Sequence, residues 1–195
     1  MAKNRTAESK KGGIKKSYLK KQKIVQSGSV GTNLVKSQKV SKTVVEVNEP
    51  EVHYLRDLSQ VLQTSKGRPE YKMSSFEKIE LVEGGISKKA LENLKQKAGL
   101  DYDQLSEVLN VARTTLLNKK GNEKFNKDVS DKILGLANVY SYGYEVFEER
   151  ERFNEWIFRK NKALGGQVPF DILHTSFGRE EVKHLIGRID HGVYS

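Results

Sequence analysis

Two stretches of the sequence carry side chains whose types and spacing suit recognition. The first is Arg113, Thr114, Thr115, Asn118, Lys119 and Lys120. Arginine and asparagine can form paired hydrogen bonds to guanine and adenine edges in a major groove, while lysine and threonine reach phosphates. A helical hairpin with a polar outer face has the same composition, and the residues by themselves leave both readings open. The second stretch is the C-terminal forty residues, where Arg188 and His191 stand just before Gly192, Val193, Tyr194 and Ser195. Residues for catalysis are harder to assemble. The chain has no cysteine, which excludes disulfides, thiolate zinc sites and cysteine nucleophiles. The four histidines are His53, His174, His184 and His191. His184 and His191 are seven apart and could share a helix face, but without a third ligand they make a poor zinc site. No phosphate-binding glycine loop is present. We expect no catalytic residue, no metal and no cofactor.

The elements that must position these groups read as helices. Ser74 and Glu77 have capping-box spacing, and Phe76, Ile79 and Val82 follow at helical intervals. Gly84-Gly85 stops that helix; Ser87 can cap the next, with Leu91, Leu94 and Ala98 on its buried side and Gly99 past its end. Asp101 and Gln104 look like a cap pair, and Leu105, Val108 and Leu109 form an inward stripe. Asn110-Val111-Ala112 is a tight turn, since asparagine tolerates the left-handed conformation. Arg113 to Lys120 then forms a second short helix with Leu116 inward. Two short helices joined by a three-residue turn is the spacing of a helix-turn-helix. Asn126 can cap a long helix carrying Val129, Ile133, Leu136, Ala137, Tyr140, Tyr144 and Phe147, in which Gly135 and Gly143 either weaken it or admit a neighbour. Phe153, Trp156 and Ile157 form another stripe, with Trp156 in the core. Gly165-Gly166 reverses the chain, and Pro169 fits the first turn of a short helix. Val182, Leu185, Ile186 and Ile189 line the last helix. The body is all-α.

The charge is uneven. Residues 1–44 hold twelve basic side chains and one acid, Glu8, a net +11. The remaining 151 residues hold 23 basic and 24 acidic groups, a net −1. This tail is poor in large apolar groups and cannot offset the entropy of ordering, so it is expected to be disordered and to add non-specific phosphate contacts. Thr43 to Val47 could form an isolated strand, and Val52, Leu55 and Leu62 fit one helical stripe before Gly67-Arg68-Pro69 breaks the chain. No apolar run approaches the roughly 18–20 residues that span a bilayer, and the basic start lacks the apolar core of a secretory signal. A cytoplasmic protein is expected.

The C-terminal segment resembles the toxin-binding domain of Xre/MbcA/ParS-type antitoxins, the partners of RES-domain toxins. The resemblance rests on Trp156, Asn161, Ala163-Leu164-Gly165-Gly166, Pro169, Leu173, Thr175, Gly178, Val182, Leu185, Arg188-Ile189 and the ending His191-Gly192-Val193-Tyr194-Ser195. Family members place an Xre-like helix-turn-helix upstream, where Asp101–Lys120 stands, and the similarity covers roughly residues 75–195. Five positions depart from the family pattern: Val168 stands where a threonine that could cap is frequent, Phe153 and Phe170 are bulkier than the usual residues, Ala112 stands where a capping serine is common, and Asn118 where a basic residue is common. The resemblance implies a bacterial antitoxin of a type II toxin–antitoxin system, not itself an enzyme, that blocks an NAD-degrading RES toxin and represses its own operon. The implied organisation is a disordered basic tail (1–44), a linker or extra helix (45–74), a helix-turn-helix domain (75–147) and a small helical toxin-binding domain (148–195). A stand-alone transcriptional regulator is the alternative. Beside the resemblance, we expect Arg188, His191, Gly192, Val193, Tyr194 and Ser195 to bind the toxin, the last three entering its NAD cleft. Trp156, Gly165, Gly166 and Pro169 are structural. A short recognition helix binds DNA weakly alone, so a homodimer reading operator half-sites about 34 Å apart is expected, within a toxin–antitoxin hetero-oligomer.

Overall fold

The computed structural model describes residues 58–64 and 67–192. Among these, eight α-helices and two short 3-10 turns account for the regular structure, and there is no strand, only one antiparallel bridge between Ser87 and Lys124. The capping residues work as the sequence suggests. Helix α1 (Ser75–Gly84) opens on Ser74, whose hydroxyl accepts from the Glu77 N–H at 3.3 Å while the Glu77 carboxylate accepts from the Ser74 N–H at 2.8 Å. Helix α2 (Lys88–Ala98) opens on Ser87 and closes on left-handed Gly99. Helix α3 (Tyr102–Val108) has a second reciprocal box, Asp101 with Gln104. Next come α4 (Arg113–Leu117) and the long α5 (Lys127–Phe147), capped by Asn126. Helices α6 (Arg150–Trp156), α7 (Pro169–Ile172) and α8 (Ser176–Asp190) complete the order. None of the described helices is long and apolar enough to cross a membrane.

Helix α5 is the axis of the packing. Its Val129, Ile133, Leu136, Ala137, Tyr140 and Tyr144 are buried, and α1, α6, α8 and a 3-10 turn at Glu70–Lys72 all pack against it. Val182, Leu185 and Ile186 of α8 are buried too, as their spacing demands. One connected apolar cluster runs from Leu58 to Ile186. Tyr140, Tyr144, Phe147, Phe153 and Trp156 form an aromatic group with centroids 5.3 to 5.9 Å apart. Trp156 packs there half-buried. Gly143 admits Phe153: a Cβ at position 143 would stand 2.2 Å from the ring.

On α1 the helical spacing holds, but Phe76 and Ile79 are 84% and 57% exposed, and Leu81 and Val82 are the side chains packed against the core. Two expectations are corrected. The second helix of the hairpin stops at Leu117, so Asn118, Lys119 and Lys120 lie beyond it. Gly121, at φ 51°, turns the chain there, and its carbonyl and that of Glu123 accept from the Lys89 and Lys88 N–H groups. Leu62 is buried but lies outside any helix. The described part of residues 45–74 is packing. Leu58, Val61 and Leu62 are buried, and the Glu70 carboxylate accepts from the Val61 and Leu62 N–H groups at 2.9 and 2.7 Å. Burial raises the Glu70 pKa, and these bonds only partly offset it. Residues 1–57, including the basic tail, the 43–47 run, Val52, Leu55 and His53, lie outside the described residues.

Candidate nucleic-acid and partner-binding sites

The first site is built on α3 and α4. Leu105, Val108, Leu109 and Leu116 are buried and hold the two helices together. Between them Asn110 adopts the left-handed conformation, φ 47°, as the turn requires. Ala112 occupies the N-cap of α4 without a side-chain bond, and its carbonyl accepts from the Thr115 N–H at 2.9 Å. Arg113, Thr114 and Thr115 are exposed together on α4. Arg113 Nε lies 3.1 Å from Asp103 Oδ1, an exposed ion pair that water and salt weaken. Asn118 caps α4, Lys119 is half-buried and Lys120 is exposed in the next turn, its N–H donating to the Glu123 carboxylate at 2.6 Å. The structure therefore brings three of the six expected residues onto the short helix and sets the other three beside its C-terminal end.

The second site is a groove of about 580 Å³ over α5. Lys183, His184 and Arg188 of α8, with His191 at its C-cap, form one wall. Asn138 and Tyr142 of α5 form the floor, and Lys78 of α1 and Tyr71 close the other side. Tyr71 stacks on Tyr142 with centroids 5.2 Å apart. Lys183 is paired with Glu180 at 2.7 Å. Lys78 and Arg188 form no ion pair with a described residue. Burial lowers the Lys78 pKa, nearby Lys183 adds to this, and Glu180 opposes it. At the end of α8, His191 donates its N–H to the Gly187 carbonyl at 3.1 Å, and Gly192 turns at φ 70°. Val193, Tyr194 and Ser195 lie outside the described residues. Arg188 and His191 were visible in the sequence. Tyr71, Lys78, Asn138 and Tyr142 were not, because they come from three other segments; Asn138 and Tyr142 share a helix face, but nothing local ties it to Tyr71, Lys78 or the last helix. No group of three or more His, Asp or Glu side chains able to hold a metal occurs among the described residues.

Gly165 and Gly166 adopt positive φ after a 3-10 turn, Lys162–Leu164. Asn161 closes that reversal through the Gly166 N–H at 2.9 Å and the Gln167 carbonyl at 2.9 Å. Pro169 then occupies the first turn of α7, buried.

Residues 77–138, which hold α3 and α4, match the model of the antitoxin Xre-like helix-turn-helix domain. Residues 143–192, which hold α8, match that of the antitoxin Xre/MbcA/ParS C-terminal toxin-binding domain. The Prs ADP-ribosylating antitoxin of Sphingobium sp. (strain YBL2) is 25% identical over 136 residues, 64% of this chain and 85% of the relative. An antitoxin Xre of Photorhabdus laumondii is 33% identical over 76 residues, 38% of this chain and 51% of the relative. An antitoxin Xre of Yersinia enterocolitica is 23% identical over 119 residues, 60% of this chain and 80% of the relative. With a helix-turn-helix domain over the first site and a toxin-binding domain that includes the Lys183–His191 wall of the second, the chain belongs to the Xre/MbcA/ParS antitoxin family.

Proposed function

We propose that this antitoxin neutralises a RES-domain, NAD-degrading toxin in the bacterial cytoplasm, and that it does so by exclusion. Arg188, His191, Gly192 and the segment Val193–Ser195 are the contact residues. The observation that carries this reading is the end of α8: Arg188 and His191 stand on the wall of an open groove where left-handed Gly192 redirects the chain. A cleft that binds a pyrophosphate and two flat rings suits a phenol ring such as Tyr194 as a stand-in. Fraying of the last residues is the alternative, as at most termini. The printed name of the Sphingobium relative speaks of ADP-ribosylation, so both NAD loss and ADP-ribosylated protein belong in the assay. The test is deletion of Val193–Ser195 with the toxin co-expressed. NAD loss should return although the two proteins still co-purify. Full protection by the truncated chain would reject the plug and leave occlusion by the groove face.

Repression of its own operon is the second function, carried by the exposed Arg113, Thr114 and Thr115 on α4. Arg113 and Asn118 are assigned to bases, the threonines and Lys119 and Lys120 to phosphates. A five-residue recognition helix offers few contacts, which favours a homodimer on paired half-sites. The DNA-binding part is taken as 75–147 and the toxin-binding part as 148–195.

A further inference from the structure

Among the described residues, Lys88 is the cation that the core swallows. It is 6% exposed, in the first turn of α2. Its ammonium meets groups from three helices. Nζ donates to the Leu116 carbonyl of α4 at 2.7 Å. It lies 2.8 Å from Glu92 Oε1, one turn along α2. It also donates to the Tyr102 hydroxyl of α3 and faces that ring, 4.3 Å from the centroid. The Tyr102 hydroxyl in turn donates to Glu92. All three ammonium donors thus have an acceptor. Burial alone would lower the Lys88 pKa; the bonds to Glu92 and Tyr102 outweigh it and hold the value above that of an ordinary lysine, so the charge persists.

A buried charge is costly unless fully paired, and an apolar side chain of similar volume would fill the same space. The arrangement does something that volume does not. Helix α4 has five residues, too few to hold its own shape in water. It has no side-chain cap at its start. Leu116 is fully buried and anchors one face. A single apolar anchor leaves a short helix free to tilt about it. The ammonium on the Leu116 carbonyl, itself fixed by α2 and α3, supplies the second point.

We propose that Lys88, with Glu92 and Tyr102, is a positioning residue for DNA reading: it sets the tilt of α4, and hence the placing of Arg113, Thr114 and Thr115, without touching DNA. The inference rests on α4 being the recognition helix. In the test, the full wild-type chain first selects a preferred duplex from a randomised pool. Binding to that duplex and to a scrambled one is then measured over a range of salt. Lys88→Met should lower affinity for the selected duplex about tenfold, the scale of a single base contact. Scrambled binding and the salt slope should not change, since a buried ammonium displaces no DNA counterion. Tyr102→Phe, which removes only the hydroxyl, should cause a smaller loss in the same direction and decides the question if Lys88→Met does not fold. Leu173→Ala, a cavity at the end of α7, should lower thermal stability and spare the ratio of selected to scrambled binding. The proposal is overturned by an unchanged ratio in the lysine and tyrosine variants, by an equal loss in Leu173→Ala, or by a salt slope reduced by about 0.9, which would mark a direct phosphate contact. A wild-type chain that selects no sequence would instead sink the reading of α4 itself, before any variant is compared.

Discussion

Gly143 and Gly135 stand on the same helix and answer to different neighbours. At Gly143 a Cβ would meet Phe153 ring atoms at 2.2 to 2.5 Å. Phe153 is fully buried, with rings of Tyr140, Tyr144, Phe147 and Trp156 around it, so it cannot yield. At Gly135 the nearest atom is Arg179 Nε at 2.8 Å, near the end of a flexible side chain. That guanidinium donates to the Leu173 carbonyl at 3.0 Å and would have to shift. Gly143→Ala should therefore cost about 1–3 kcal/mol through overpacking. Gly135→Ala should stay within about 1 kcal/mol of wild type, because the helix gain of alanine over glycine is of that size and opposes the shift. Urea unfolding of the two variants checks this; equal losses would mean that α5 responds to the backbone and not to the neighbour. The sequence marks both glycines. It does not say which is pressed, because Phe153 approaches from α6, across the break at Glu148.

At the scale of elements, what is legible in the sequence is what is local. Ser74 with Glu77, Asp101 with Gln104, and Asn126 all cap helices a few residues away, and Asn110 turns where it should. What is not legible depends on distant chain. Phe76 and Ile79 keep helical spacing, yet the face that α1 buries is chosen by where α5 lies. The short span of α4 follows from the turn at Gly121 and its bonds to α2. Nothing near Lys88 in the sequence marks it as buried; its carbonyl acceptor, on Leu116, lies 28 residues on. Glu70 is the same kind of case, and it fastens a whole segment. Its two carboxylate oxygens take the N–H groups of Val61 and Leu62, and Ser141 Oγ donates to the Ser59 carbonyl at 2.7 Å. Glu70→Ala would leave two buried donors unpaired, at about 1–3 kcal/mol each. The expected outcome is a loss of that order in unfolding free energy, together with faster limited proteolysis between residues 58 and 64. Stability lost without faster cleavage there would mean that Leu58, Val61 and Leu62 hold the segment by packing alone.

The whole molecule divides its charge as sharply as it divides its tasks. Residues 1–44 carry a net +11 and the rest a net −1, so the part bearing both sites has almost no net attraction for phosphate. At α4 one cation is partly offset, since the Arg113 guanidinium pairs with Asp103. A body this close to neutrality gathers little long-range attraction for the duplex beyond the few phosphate contacts proposed for α4 and the turn after it. The twelve basic groups of the arm are the place from which further affinity can come, by release of counterions. The two contributions are separable. Removing residues 1–44 should flatten the dependence of log K on log salt, by about 0.9 for each phosphate no longer neutralised, and leave the order of preferred sequences intact. Arg113→Ala in the full chain should do the reverse: the slope moves little, and discrimination at the contacted base pair drops by about 1–3 kcal/mol. An unchanged slope after truncation would put the arm off the DNA. A uniform loss over all sequences in Arg113→Ala would make Arg113 a phosphate contact and shift base reading to Asn118 and the threonines.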